Sequence, residues 1–309
     1  MSPRPRRTPA PYLARTFPET PVHAAVRTAT LLLALPLPVL AAQRPGGPAR
    51  PDTAKMRQAI QLDLDGRTAE AQAVFQRLLD STADPAARAQ VARALAMSHA
   101  FAGDCAGTLR YEQQVIDYWK TREAAEPQNA FFQEGEIADE GARVCIDAGD
   151  FASAEAWYRR GDSLGLLEPA PRTHPASLWA FRLAHALGRL AARRGDAAEA
   201  GRQIARAREA LAADSATNAQ QQRFLPYLTG YVALYTGDLT TALADLTNAV
   251  ARPGNERDPF MRCLLALTEE RMGRRDQADA DYRKAYDLAT GHNPPSAFVR
   301  PLVREKLKL

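Results

Sequence analysis

Residues 191–204 read Ala-Ala-Arg-Arg-Gly-Asp-Ala-Ala-Glu-Ala-Gly-Arg-Gln-Ile, and residues 233–246 read Ala-Leu-Tyr-Thr-Gly-Asp-Leu-Thr-Thr-Ala-Leu-Ala-Asp-Leu. Both place Gly-Asp between two helix-forming runs. Both carry alanine five residues after the glycine (Ala200, Ala242) and an aliphatic residue nine after it (Ile204, Leu246). The same grammar recurs around six glycines, Gly66, Gly103, Gly149, Gly195, Gly237 and Gly273, spaced 37, 46, 46, 42 and 36 residues apart. Glycine accepts the positive φ that ends a helix, and the polar residue after it lets the next helix begin. A small residue one turn later lets two helix backbones approach, and a large apolar residue a turn beyond fills the space between neighbours. Ala71, Ala154 and Ala278 complete the first series, and Phe75, Tyr158 and Tyr282 the second. The second repeat breaks both rules, with Thr108 and Glu112.

A repeat of this period means stacked helical hairpins, each burying its apolar face on the next. Over roughly residues 53–290 these positions resemble the tetratricopeptide repeat. Gly188 and Gly230, seven before a turn glycine, and Ala207, Ala249 and Ala285, twelve after one, add to the likeness, which is strongest in the last three repeats. The resemblance implies an all-α, right-handed solenoid of about six hairpins, over 53–81, 85–120, 128–163, 176–212, 217–251 and 257–290. Residues 291–309 form a C-terminal capping helix that covers the last hairpin and faces water. With 46% apolar residues and no alternating segments, the sequence offers no competing sheet.

Five arginines (Arg4, Arg6, Arg7, Arg15, Arg27) precede an apolar run from Leu31 to Ala42 that holds two prolines and ends in small residues. The run is too short to span a membrane, so residues 1–42 read as a signal peptide and 43–52 as a linker. The chain is therefore expected to be exported, periplasmic or secreted, with no membrane span after cleavage. Those five arginines and Glu19 come out of totals of 40 basic and 36 acidic residues, leaving 35 of each. A neutral remainder removes the electrostatic case for nucleic-acid binding.

Cys105 lies at the start of one second helix and Cys145 at the end of the following first helix, so stacking brings them to one edge of the array. They form either a disulfide suited to an oxidising compartment or two buried thiols. Gly161-Asp162-Ser163-Leu164-Gly165 spells the nucleophile elbow of serine esterases, but that motif needs a strand before the serine, and a helix stands there. The five histidines have no metal-ligand spacing and no glycine loop suits a phosphate, so neither catalysis, a metal nor a cofactor is expected.

In the family, first helices line the concave side, and that side binds ligands. The resemblance thus nominates Met56, Ile60, Arg93, Met97, Asp139, Arg143, Phe260 and Leu267. It points above all to Arg182, His185 and Arg189 from the fourth hairpin beside Phe224, Tyr227 and Tyr231 from the fifth. Arginines would grip an acidic group of a protein or peptide, and tyrosines would supply rigid contact area. The carboxylate clamp of chaperone-binding members is not reproduced, because Met97 and Glu140 stand where it needs asparagine. The expected role is a non-catalytic binding scaffold or assembly factor of the cell envelope. The alternatives are a self-associating envelope protein or an esterase using Ser163.

Overall fold

The computed structural model describes residues 52–309; the expected signal peptide and all but the last residue of the linker lie outside them. Among the described residues there are fourteen α-helices and no strand. None of these helices is long and apolar enough to cross a membrane. Five hairpins run α1 (Thr53–Leu64) with α2 (Thr68–Ser81), α3 (Pro85–Phe101) with α4 (Cys105–Lys120), α5 (Pro127–Ala148) with α6 (Phe151–Gly165), α7 (Ala176–Arg193) with α8 (Ala197–Ala213), and α12 (Pro259–Arg271) with α13 (Arg275–Leu288). Between the fourth and last of these stand α9 (Ser215–Gln221), a 3-10 turn at Gln222–Phe224, α10 (Leu225–Thr236) and α11 (Leu239–Ala251); α14 (Pro294–Leu307) closes the chain.

The Gly-Asp dipeptide works as a stop followed by a start. All six turn glycines have φ between 68° and 93°, where a Cβ would be strained. The aspartate then caps the next helix. Asp104, Asp150, Asp196 and Asp238 accept from the backbone N–H of Gly107, Ser153, Glu199 and Thr241 at 2.9–3.1 Å. Arg67 and Arg274, which stand where the other repeats have aspartate, make no such bond. The small residues then do their work: Ala71, Ala154, Ala200 and Ala242 have no exposed surface, and Ala278 has 1%. In the deviant second repeat the Thr108 hydroxyl donates into its own helix turn at Asp104 O (2.8 Å), while Glu112 is buried with neither carboxylate oxygen bonded.

Three local expectations need correction. The fifth hairpin does not begin with one helix from 217, because Pro226 has no N–H to continue a helix arriving from α9. The chain breaks at Gln222–Phe224 and restarts as α10. The third hairpin does not end at 163: α6 runs on to Gly165, which leaves 166–175 as the longest interruption. It continues there because Gly161 crosses Gly135 of α5: a Cβ on either would lie 2.9 Å from the other's carbonyl oxygen. The buried Glu168 ties the loop that follows, accepting from Thr173 Oγ1 at 2.8 Å and His174 Nδ1 at 3.0 Å.

The third correction concerns α14. It does not simply cover the last hairpin; it packs on α12 and α13 and also on α3 and α5. His292, just before it, lies between the rings of Phe75 and Phe101 and bonds Asp63 at 2.8 Å. Arg300 Nε donates to Leu64 O at 2.6 Å, and Arg304 reaches the same carbonyl, one of those left open at the end of α1. Val299 and Val303 are fully buried. The last helix thus returns to the first hairpin.

Cys105 and Cys145 are joined in a disulfide, with Cα atoms 4.8 Å apart and a sequence separation of 40; Cys263 is free and buried. Closing that loop removes about 4 kcal/mol of chain entropy from the unfolded state. The Cys105→Ala/Cys145→Ala variant should lose most of that stability in denaturant unfolding. A loss under about 1 kcal/mol would assign the bridge no stabilising role.

Candidate functional site: a basic and aromatic axial cavity

Three first helices bring matching stripes together. From α5 come Glu136, Asp139, Glu140, Arg143 and Asp147, and from α7 come Arg182, His185, Arg189 and Arg193. Tyr227, Tyr231 and Tyr235 project from α10. Spacings of three and four put each set on one helix face. Arg189 sits where the stripes meet, 6% exposed, donating to Tyr158 OH at 3.0 Å and Tyr227 OH at 3.1 Å. Arg193, a turn further on, lies 3.9 Å from Asp147 and 4.8 Å from the Tyr235 ring centroid. Arg182 pairs with Glu136 and lies over the Phe132 and Trp179 rings, and Arg93 pairs with Glu140.

The α5 and α7 stripes as far as Arg143 and Arg189, with Tyr227 from α10 and Arg93 from α3, wall a cavity of about 380 Å³. Five of the six residues nominated for ligand contact line it: Arg182, His185, Arg189, Phe224 and Tyr227. Tyr231 does not. It has no exposed surface and packs against Tyr227 and Tyr235, so it belongs to the core. Arg189 and Tyr227 are floor rather than rim, because helices packed this tightly leave little of them uncovered. Arg93, Asp139 and Arg143 also line the cavity. Met97, buried, and Met56 and Ile60, half-buried, belong to the apolar core of the first hairpins. Phe260 is buried beneath Arg143, whose guanidinium lies 4.6 Å from its ring centroid.

Sequence reading missed Glu136, Asp258 and Pro294 among the lining residues. Glu136 was legible, because it precedes Glu140 by one turn. Asp258 caps α12, accepting from Phe260 and Met261 N–H, and Pro294 opens α14. Their place in the wall depends on the return of α14, which no local pattern reveals.

Burial sets the charge of the wall. It pushes Asp139 well above the usual carboxylate range against the pull of Arg189, which favours the neutral carboxyl. Burial likewise raises Asp147 to about 6, although Arg143, Arg189 and Arg193 oppose the rise. His185 is held well below its ordinary value by burial and by Arg189 and Arg143, and is neutral. Burial lowers Arg182 only to about 10, which leaves it charged. Donors outnumber partners in this wall: Arg143 Nε and Arg189 Nε are buried without an acceptor. The arrangement suits an anion.

Ser163 lies in the last turn of α6, its hydroxyl donating to Arg159 O at 2.9 Å, so no strand-to-helix elbow exists there.

Two outcomes follow. Arg189→Met strands two tyrosine hydroxyls and leaves Asp147 less compensated; it should cost about 3 kcal/mol by chemical denaturation. Elsewhere in the array, burial raises Glu134 and Glu269 to about 7, helped by Glu123 and Asp281 respectively. A carboxyl that binds its proton more tightly folded than unfolded stabilises the fold at low pH and loses that contribution as pH rises through its folded value. The Glu134→Gln/Glu269→Gln variant should therefore gain stability over the wild type as pH rises from 5 to 8. A constant difference in melting temperature across that range would refute it.

Residues 261–292, spanning most of α12 and α13 and the turn after them, match the family model for the tetratricopeptide repeat. No curated protein matches the chain. The match covers the last hairpin, and five further hairpins are built on the same turn glycines, in keeping with the tetratricopeptide repeat superfamily.

Proposed function

We propose that this protein is a non-catalytic scaffold that captures an acidic segment of a partner protein in the axial cavity. Repeats of this kind suggest a protein-interaction scaffold. The observation that carries the finer reading is the pair of buried guanidinium donors, on Arg143 and Arg189, left without acceptors in the cavity wall. A buried donor without a partner costs about 1–3 kcal/mol, and an incoming carboxylate would relieve that cost. The cavity admits a side chain or a chain end rather than a whole peptide, so the rest of the partner lies over the rim at Arg93 and Gln221. Burial favours the neutral form of Asp139, which lessens the repulsion that an ionised carboxylate there would impose.

The cell envelope is the proposed setting. The basic and apolar leader in the sequence supports export, and a Cys105–Cys145 disulfide persists in an oxidising compartment.

Fluorescein-labelled hexaglutamate should bind the wild type with salt-sensitive affinity, and hexaglutamine should not. Arg143→Gln should weaken the complex about tenfold, the worth of a charge-assisted contact, with helical circular dichroism unchanged. Equal binding to both proteins, or equal binding of both peptides, would remove the reading.

A further inference from the structure

Pro294 also lines a second cavity, of about 330 Å³, between α14 and the C-terminal ends of α3 and α5. Its walls are apolar: Phe101, Val144, Phe298 and Leu302 dominate them. Its polar side chains are the carboxylates of Asp147 and Glu305, and no lining side chain carries an N–H or O–H donor.

The backbone adds acceptors of the same sign. Helices α3 and α5 both end at this cavity, so the partly negative ends of two helices face it, although turn N–H groups already bond the carbonyls of Ala100 and Ile146. Pro301, inside α14, has no N–H to give to the carbonyl of Ala297, and both residues line the space. Glu305 is exposed and has no ion-pair partner among the described residues. Arg193 approaches Asp147 at 3.9 Å but is not part of the lining.

The two cavities have opposite appetites. Donors lack acceptors in the first, and acceptors lack donors in the second. Successive turns of α5 serve both, with Glu140 and Arg143 facing the first and Val144 and Asp147 the second.

We propose that the second cavity receives a lysine side chain of the same partner segment whose acidic residue enters the first. The inference rests on the capture reading above. A four-carbon stem covers the apolar walls while a compact ammonium with three donors meets carboxylates and carbonyls lying in several directions. The partner's signature is then an acidic residue followed or preceded closely by lysine.

The test compares two labelled octapeptides on the full chain: alternating Glu-Lys, and the same peptide with norleucine for every lysine. Norleucine keeps the stem and removes the charge, and it makes the peptide more acidic, which favours the first cavity. The wild type should nevertheless bind the lysine peptide about tenfold more tightly, and Glu305→Gln should shrink that ratio several-fold. Because the readout is a ratio on one protein, altered folding of the variant does not produce it. Equal affinities on the wild type, or a ratio untouched by Glu305→Gln, would overturn the inference. If hexaglutamate binds while the ratio is one, only this inference falls. If neither octapeptide nor hexaglutamate binds, the capture reading falls with it.

Discussion

A guanidinium taken out of water must find partners, and Arg189 organises the interior by that requirement. Its side chain is nearly covered, and it draws hydroxyls from α6 and α10 and the fields of Asp139 and Asp147 from α5 onto one point of α7. Apolar packing alone would let neighbouring hairpins slide by a turn at little cost. A buried cation allows few such alternatives, because most registers would leave it unpaired. The same atom cluster forms the floor of the axial cavity. Stability and recognition therefore draw on one set of side chains, and Arg143, whose Nε has no acceptor, is the one left to serve a ligand.

The α14 helix supplies the second constraint. By carrying Arg300 and Arg304 to Leu64 and His292 to Asp63, it makes the first and last hairpins neighbours. Those contacts divide the inner space into two chambers on either side of Pro294. A plain stack of hairpins would present one continuous groove; here the groove is partitioned, which limits what can enter to individual side chains.

The hairpins were legible in the sequence because each depends on neighbours a few residues away. Glycine at positive φ, aspartate at the cap and alanine at the crossing act within one or two turns. The stripe of Arg182, His185 and Arg189 was legible for the same reason. Tyr231 was misjudged because helical spacing gives direction but not depth, and a ring aimed inward can end in the core or in a cavity. Phe224 was assigned to a helix that Pro226 interrupts. The destination of α14 was not legible at all: its partners on α1 and α3 stand some two hundred residues away, and nothing in residues 291–309 names them. Glu112 announced a departure from the repeat without revealing its burial.

The hydrogen bond between His292 and Asp63 links positions separated by 229 residues. A ribosome completes the first hairpin long before it reaches the residues that finish its packing. The early hairpins must wait with Phe75 and Phe101 uncovered until the carboxyl-terminal segment emerges, which gives an otherwise local fold one late, long-range step. Repeat arrays commonly change length by duplication of a unit. An inserted hairpin here would carry α14 away from Leu64, so the number of repeats is held fixed by geometry.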